Sequence, residues 1–389
     1  MDLKRRRCLL HLRRFLLRNE FMKIFFIALI LSAAHGAFAQ VKDLPTPSGV
    51  TVIEKLLPRL KPIATPNDAN LIPAVRQAIE LFRQTADPRY LGQAQALIGK
   101  QWSSKDASHD VLTLQATIEQ SRHEFTQAAA TLRLALTRAA PSQAQAKLTL
   151  ATIERVQGNY AAATVACKSI TEPPAQLYAR ACLLETISLQ GQWAGAREGL
   201  AQLLREQRLP VQQAWLQSLL AENELRAGDS AAAMRHFAIS LSLADDGYTT
   251  LAYADALLDG GQAQQALQAL SNQPSSDSVL IRQAQAYKML RDERYKTIAQ
   301  DLSQRFATAQ LRGSAQAQAH AREQALFELQ VLGNPQAALG LAQSNLKLQK
   351  ESVDWLLALR SARAAGNNAA ASEILQAAAK TGLKDARLK

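Results

Sequence analysis

The sequence is poor in the residues that most enzyme chemistry needs. Among 389 residues there are three cysteines, six histidines and 5% aromatic residues. The histidines (His11, His35, His109, His123, His236 and His320) form no pair at metal-ligand spacing, and C-x-x-C and H-E-x-x-H are both missing. The common zinc sites are therefore excluded. There is no P-loop, no G-x-G-x-x-G and no G-x-S-x-G. An enzyme reading thus has no residue constellation behind it: no catalytic residue, no metal and no cofactor is assigned. Long β-branched alternation is missing too, whereas Ala, Gln and Leu are abundant, which favours helices. The one apolar stretch near the start is too short for an ordinary transmembrane helix, and no other run is long enough to span a bilayer.

What the sequence does have is a period of roughly 34 residues from about Ala86 onward. A Gly or polar residue is followed by an aromatic residue at +2, Ala at +5 and a large apolar residue near +9. The clearest copies are Gly158-Asn159-Tyr160 with Ala163, and Gly191-Gln192-Trp193 with Ala196 and Leu200. Gly228-Asp229-Ser230 with Ala233 and Phe237, and Gly261-Gln262-Ala263 with Ala266 and Leu270, follow. Weaker copies centre on Pro88, His123, Glu293, Gly333 and Gly366. Each unit reads as helix, short turn, helix. Leu148, Ala151 and Ile153 share one helical face before Gly158, and Tyr160, Ala163 and Cys167 begin the next stripe. Gly ends the first helix in the left-handed conformation, and Ala at +5 lets two antiparallel helices approach closely.

These residues resemble tetratricopeptide repeats, whose pattern has a small residue at position 8, Gly at 15, an aromatic at 17, Ala at 20 and an apolar residue at 24. With Gly158 at position 15, Ala151, Tyr160, Ala163 and Cys167 fall into place; with Gly228, so do Ala221, Ala233 and Phe237. Departures are Ser230 and Ala263 in place of the aromatic, and the missing early-helix Trp. The resemblance implies an all-α, right-handed superhelical solenoid of about eight to nine helix-turn-helix repeats over residues 71–379, with a concave inner face.

The net charge of +12 misleads. Residues 1–39 hold eight Lys or Arg and two acids, and so carry half of it. The remaining +6 is spread too thinly for a nucleic-acid footprint. Met22-Lys23, the apolar run Ile24 to Ala34 and Ala37-Phe38-Ala39 make a signal peptide (22–39), with cleavage expected between Ala39 and Gln40. The alternative is an uncleaved anchor. Residues 1–21 are a long basic n-region or precede the true start at Met22. The mature chain is expected to be exported to a bacterial periplasm and not to span the membrane. Residues 40–70 read as a proline-rich leader that lies on the first repeat or stays disordered. Residues 380–389 read as a polar, charged tail.

Export leaves Cys167 and Cys182 as an even pair in an oxidising compartment, which invites a disulfide worth roughly 3 kcal/mol for a loop of about 15 residues. The alternative is a pair of small buried apolar residues. The doublet Asp245-Asp246 reads as a helix cap. Glu119, Glu154 and Glu224, recurring at position 11, read as intrasolenoid ion-pairing or solvated groups.

The resemblance implies a groove lined by positions 2, 5, 9, 12 and 13 of each first helix. Position 2 gives Tyr178, Trp215 and Tyr248; position 9 gives Glu185, Glu222 and Asp255, then Tyr287 and Phe327; position 13 gives Arg226 and Arg291. Positions 2 and 9 lie two turns apart on one face, so an aromatic ladder should stand beside an acidic one. Such aromatic and Arg side chains anchor binding surfaces, although position-2 aromatics also pack on adjoining helices. The implied function is a non-enzymatic scaffold for a protein or peptide partner in envelope assembly, secretion or polysaccharide export. The second reading is a glycan-binding module with Tyr178, Trp215 and Tyr248 as stacking platforms. Nothing in the sequence fixes the oligomeric state.

Overall fold

The computed structural model describes residues 70–311 and 320–389, together with Leu60 and Ile63. The segments 1–21 and 22–39 lie outside the described residues, as does nearly all of 40–70. Ile63 packs against the first core cluster, with Val75, Ile79 and Leu91. Among the described residues no helix is long and apolar enough to cross a membrane.

The described residues form nine antiparallel helix pairs, the all-α solenoid that the period implied. They are α1 (Leu71–Thr85) with α2 (Arg89–Ile98), α3 (His109–Ser121) with α4 (Phe125–Leu136), and α5 (Ala144–Val156) with α6 (Tyr160–Lys168). Next come α7 (Gln176–Leu189) with α8 (Trp193–Glu206), α9 (Pro210–Ala227) with α10 (Ser230–Leu243), and α11 (Gly247–Asp259) with α12 (Ala263–Ala269). The last three pairs are α13 (Asp277–Met289) with α14 (Arg294–Leu311), α15 (Ala321–Leu326) with α16 (Pro335–Asn345), and α17 (Ser352–Ala364) with α18 (Asn368–Lys380). α15 continues as a π-helical turn, Phe327–Leu332.

Each pair turns on one residue in the left-handed region: Ala86, His123, Gly158, Gly191, Gly228, Gly261, Arg291, Gly333 and Gly366. In seven turns the N–H after that residue donates to the carbonyl five residues back, as in Asn159 to Glu154 at 2.7 Å and Asp229 to Glu224 at 2.9 Å. This is the Schellman arrangement that left-handed helix ends use. After the π turn, Asn334 reaches six residues back to Glu328 instead. The centres read at Pro88 and Glu293 belong two residues earlier, at Ala86 and Arg291. Those units lack both glycine and the alanine at +5, where Leu91 and Lys296 stand, so their sequence carries no mark of the turn.

Where Ala stands at +5 it is buried: Ala128, Ala163, Ala196, Ala233, Ala266 and Ala338 are each 0% exposed, and Ala371 of the last pair is 8% exposed. The space around them is filled by residues such as Leu132, Leu200, Phe237 and Leu270, all at most 1% exposed. Removing a side chain like Phe237 would cost about 3–5 kcal/mol. Side chains of Ser108, Asp229, Asp246, Ser276, Asn334 and Asn367 accept hydrogen bonds from the first-turn backbone of six helices. Each such cap contributes about 1 kcal/mol. Asp246, from the acidic doublet, caps Thr249 N at 2.8 Å, as expected.

Neighbouring pairs are tied by ions as well as by apolar surface. Arg133 of α4 meets Glu154 of α5 at 2.6 Å, and Arg197 of α8 meets Glu224 of α9 at 2.7 Å through Nε. Two of the three position-11 glutamates thus pair between successive units. The third, Glu119, accepts from Gln115 at 2.7 Å, and burial pushes its carboxyl above the usual range. Cys167 of α6 is bonded to Cys182 of α7, with Cα atoms 5.8 Å apart, so a disulfide joins the third pair to the fourth.

The final pair packs back onto earlier turns. Trp355, Leu357 and Leu383 share one core cluster with Tyr160 and Leu189. Arg360 of α17 meets Asp259 at the end of α11 at 2.7 Å. The stretch 380–389, read from its composition as a polar tail, contains Leu383 at 3% and Asp385 at 8% exposure. It lies against the molecule because one apolar anchor and alternating side chains suffice for that, whatever the mean polarity.

Candidate functional site

The first helices of the fourth to sixth pairs, α7, α9 and α11, carry the residues singled out by register. Tyr178 and Trp215 meet with ring centroids 5.4 Å apart and planes tilted by 44°. Tyr178 is 38% exposed. Trp215 is half-buried against Leu200, Leu203 and Leu216, so it anchors the core as well as supporting Tyr178. Tyr248 is 63% exposed, and its hydroxyl donates to Glu222 Oε1 at 2.7 Å. The aromatic ladder is therefore a tilted pair in contact followed by one phenol tethered to the acidic row.

Every acid of the position-9 row has a cation. Glu185 meets Arg155 of α5 at 2.9 Å, Glu222 meets Arg226 one turn on at 3.4 Å, and Asp255 meets Arg282 of α13 at 2.6 Å. Burial pushes the Glu222 carboxyl up; Arg226 and the Tyr248 hydroxyl oppose this, while Glu185 and Glu351 reinforce it. The negative charge of Glu222 drives the Tyr248 phenol well above its ordinary value. Arg226 is 5% exposed, with Nε donating to Ser188 at 3.0 Å, so it organises the row from beneath and presents little surface of its own. Ser188 in turn donates to Asn223 at 2.6 Å.

Further along, Tyr287 is covered by the Arg294 guanidinium, 4.1 Å from the ring centroid, and Phe327 is 2% exposed within the α13–α15 core. Arg291 is the left-handed turn residue of the seventh pair. The continuous surface is thus Tyr178, Trp215, Tyr248 and the Glu185–Glu222–Asp255 row.

Register did not find a second polar group. Arg322 of α15 binds Asp354 at 2.6 Å and also pairs with Glu351, and Asn345 donates to Asp354 at 2.6 Å. Glu351 and Asp354 start α17 as a reciprocal cap. Only that Glu-x-x-Asp spacing before an apolar run marks it in the sequence. A cavity of about 300 Å³ lies where the His123 turn meets the α16–α17 loop, lined by His123, Phe125, Gln157, Lys347 and Leu348. Burial lowers the His123 pKa. Among the described residues no cluster of His, Cys, Asp or Glu suits a metal.

These helix pairs, Schellman turns and buried position-20 alanines define a tetratricopeptide-type solenoid. No protein-family model matches the chain. No curated protein matches it either. Solved structures similar to it include one described as "Functional Characterization of Pseudomonas aeruginosa pilF", 18% identical over 55% of this chain and 96% of its own, with a TM-score of 0.38. The Cut9–Hcn1 hetero-tetramer of the APC/C is 14% identical over 80% of this chain and 64% of that one, with a TM-score of 0.47. A tetratricopeptide repeat protein from Parabacteroides merdae is 14% identical over 67% and 99%, with a TM-score of 0.40. Likeness of this degree concerns the fold and transfers no activity.

Proposed function

We propose that the chain is an exported, non-enzymatic scaffold that binds a protein or peptide segment along α7, α9 and α11, in envelope assembly, secretion or polysaccharide export. The observation that carries this reading is the row itself. Tyr178 packed at a tilt against Trp215 gives an aromatic platform, and Tyr248 stands mostly exposed with its hydroxyl held on Glu222. Ordered aromatics lose little side-chain entropy on binding, which is why they anchor interfaces. The acids beside them are balanced by Arg155, Arg226 and Arg282, so the row favours an uncharged or mixed-charge segment. Export to the periplasm is supported by the signal-like residues 22–39 and by the Cys167–Cys182 bond, which an oxidising compartment maintains.

The test is capture from a bacterial envelope extract with wild type and with Tyr178→Ala/Tyr248→Ala, whose side chains lie at the surface. Proteins retained by the wild type should be lost from the double variant at unchanged melting temperature; equal retention contradicts the reading. Trp215→Ala should also weaken capture, now with a fall in stability, because Trp215 is half core. The exposure of Tyr178 and Tyr248 favours one second reading, a sugar-stacking site. Quenching of Trp215 fluorescence by oligosaccharides, lost in Tyr178→Ala, would select it over the peptide scaffold.

A further inference from the structure

The Schellman turns leave a carbonyl of each first helix without a partner inside its turn, and three of these carbonyls are taken by two distant parts of the chain, the loop before α17 and the segment after α18. In the third pair Gly158 N donates to Arg155 and Asn159 N to Glu154; in the fourth Gly191 N donates to Ser188 and Gln192 N to Ile187; in the fifth Gly228 N donates to Leu225 and Asp229 N to Glu224. The carbonyl two residues before each glycine stays open: Val156, Leu189 and Arg226. Lys350 N donates to Val156 O at 2.6 Å, Lys384 N to Leu189 O at 2.8 Å, and Ala386 N to Arg226 O at 2.8 Å.

The donors Lys384 and Ala386 are alternate residues of one segment, and they address successive pairs. The residues between and before them face the other way. Leu383 is buried in the cluster of Trp355 and Leu357, and Asp385 is held by Ser352 and by Arg387 at 2.6 Å. Alternation with period two is the habit of an extended strand. The extended stretch is Leu383–Asp385, ahead of a turn at Ala386–Arg387 in which Leu388 N donates to Asp385 O at 3.1 Å, and Gly191 and Gly228 make the floor beneath it. A Cβ at Gly158 would stand 3.2 Å from Thr381, at Gly191 3.0 Å from Lys384, and at Gly228 3.2 Å from Ala386. At Gly261 and Gly366, which share the same positive φ, an added Cβ meets nothing within 4 Å. Tyr160 lies beneath Gly382, and burial pushes its phenol up to about 12.

We propose that the turns Gly191 and Gly228 are a docking track for a short extended peptide read through its backbone, and that residues 383–386 of the chain are its resident ligand, the neighbouring Gly158 turn being closed by Thr381 and Lys350. The track lies at the ends of the first helices and touches the acidic row at Arg226, whose carbonyl accepts from Ala386 while its guanidinium pairs with Glu222. It recognises N–H donors on alternate residues, small or straight side chains where those residues face the glycines, and an apolar anchor followed at +2 by an acid, as in Leu383-Lys384-Asp385-Ala386. Affinity from main-chain hydrogen bonds, with specificity from alternate side chains, is the logic of strand addition, here applied to helix ends in place of a sheet edge.

The experiment uses the full chain and a fluorescent synthetic peptide of residues 381–389. In Lys384→Pro/Ala386→Pro both resident donors are gone while the track and Leu383 remain. The peptide should bind this form at least tenfold more tightly than wild type, where the resident segment competes. Adding Gly191→Ala to the released form should abolish binding; adding Gly261→Ala, which carries the same backbone strain, should not. A peptide with prolines at the two donor positions should not bind. Equal binding to wild type and released chain, equal binding of the diproline peptide, or equal loss from Gly191→Ala and Gly261→Ala would each overturn the proposal. Should the double proline variant not fold, Leu383→Ala is the alternative released form, subject to the same comparisons. Dimerisation of the released chain at the expense of peptide binding would also overturn it, since the track would then hold a second copy.

Discussion

The turns at Gly158, Gly191 and Gly228 have the same backbone as those at Gly261 and Gly366, and different surroundings. All five glycines have φ between 68° and 89°. In the first group another segment lies within 3.0–3.2 Å of where a Cβ would be; in Gly261 and Gly366 that space is open. One residue type thus meets two needs. At Gly261 it supplies only the left-handed conformation, which Ala86, His123 and Arg291 also achieve at the cost of some strain. At Gly191 it additionally permits contact between segments nearly two hundred residues apart in sequence.

Several substitutions would break or sharpen this comparison, and the largest effect is expected beside the covered turns. Arg322→Leu leaves Asp354, whose side chain is 0% exposed, without its cation, at the start of the helix that follows Lys350. Removing one partner of such a buried pair costs about 3–5 kcal/mol, read from urea unfolding. Next, Gly261→Ala should lose about 1 kcal/mol from the left-handed conformation alone, whereas Gly191→Ala should lose about 2–3 kcal/mol because the added methyl also meets Lys384. Equal losses would erase the distinction between the two groups.

The smallest effect is one of pH. Burial raises the Asp385 carboxyl, but Arg387 and Ser352 outweigh it and hold the group below its ordinary value of 3.8. Because the folded value lies below the unfolded one, the unfolded chain binds more protons between them. The stabilisation is therefore complete above about pH 4 and is lost as pH falls through that window. Asp385→Asn should flatten the loss in acid unfolding, with the turn at Gly261 unaffected.

Much of the solenoid was legible in the sequence. The glycine turns, the buried alanines at +5 and the Asp246 cap recur with a period, and a period survives weak copies. The first and seventh pairs hid their turns because Ala86 and Arg291 replace glycine. Register also placed Tyr178, Trp215, Tyr248 and the acids on shared first helices, since two helical turns separate positions 2 and 9. It did not show that Arg226 would be buried, or that Glu185 would borrow Arg155 from the preceding pair, because those depend on how pairs stack. The covering of the three turns was not legible at all. Its sequence is a few residues with one apolar anchor, and its partners are backbone carbonyls, which every residue possesses.

The central claim, that the molecule closes on its own third to fifth turns through backbone hydrogen bonds, is tested most directly by amide hydrogen exchange on the wild-type chain at neutral pH. The amides of Lys350, Lys384 and Ala386 should exchange at least a hundredfold more slowly than in an unstructured peptide, although none of them lies within a helix. Exchange of Lys384 and Ala386 at the unstructured rate, with the α17 and α18 amides still protected, would contradict it.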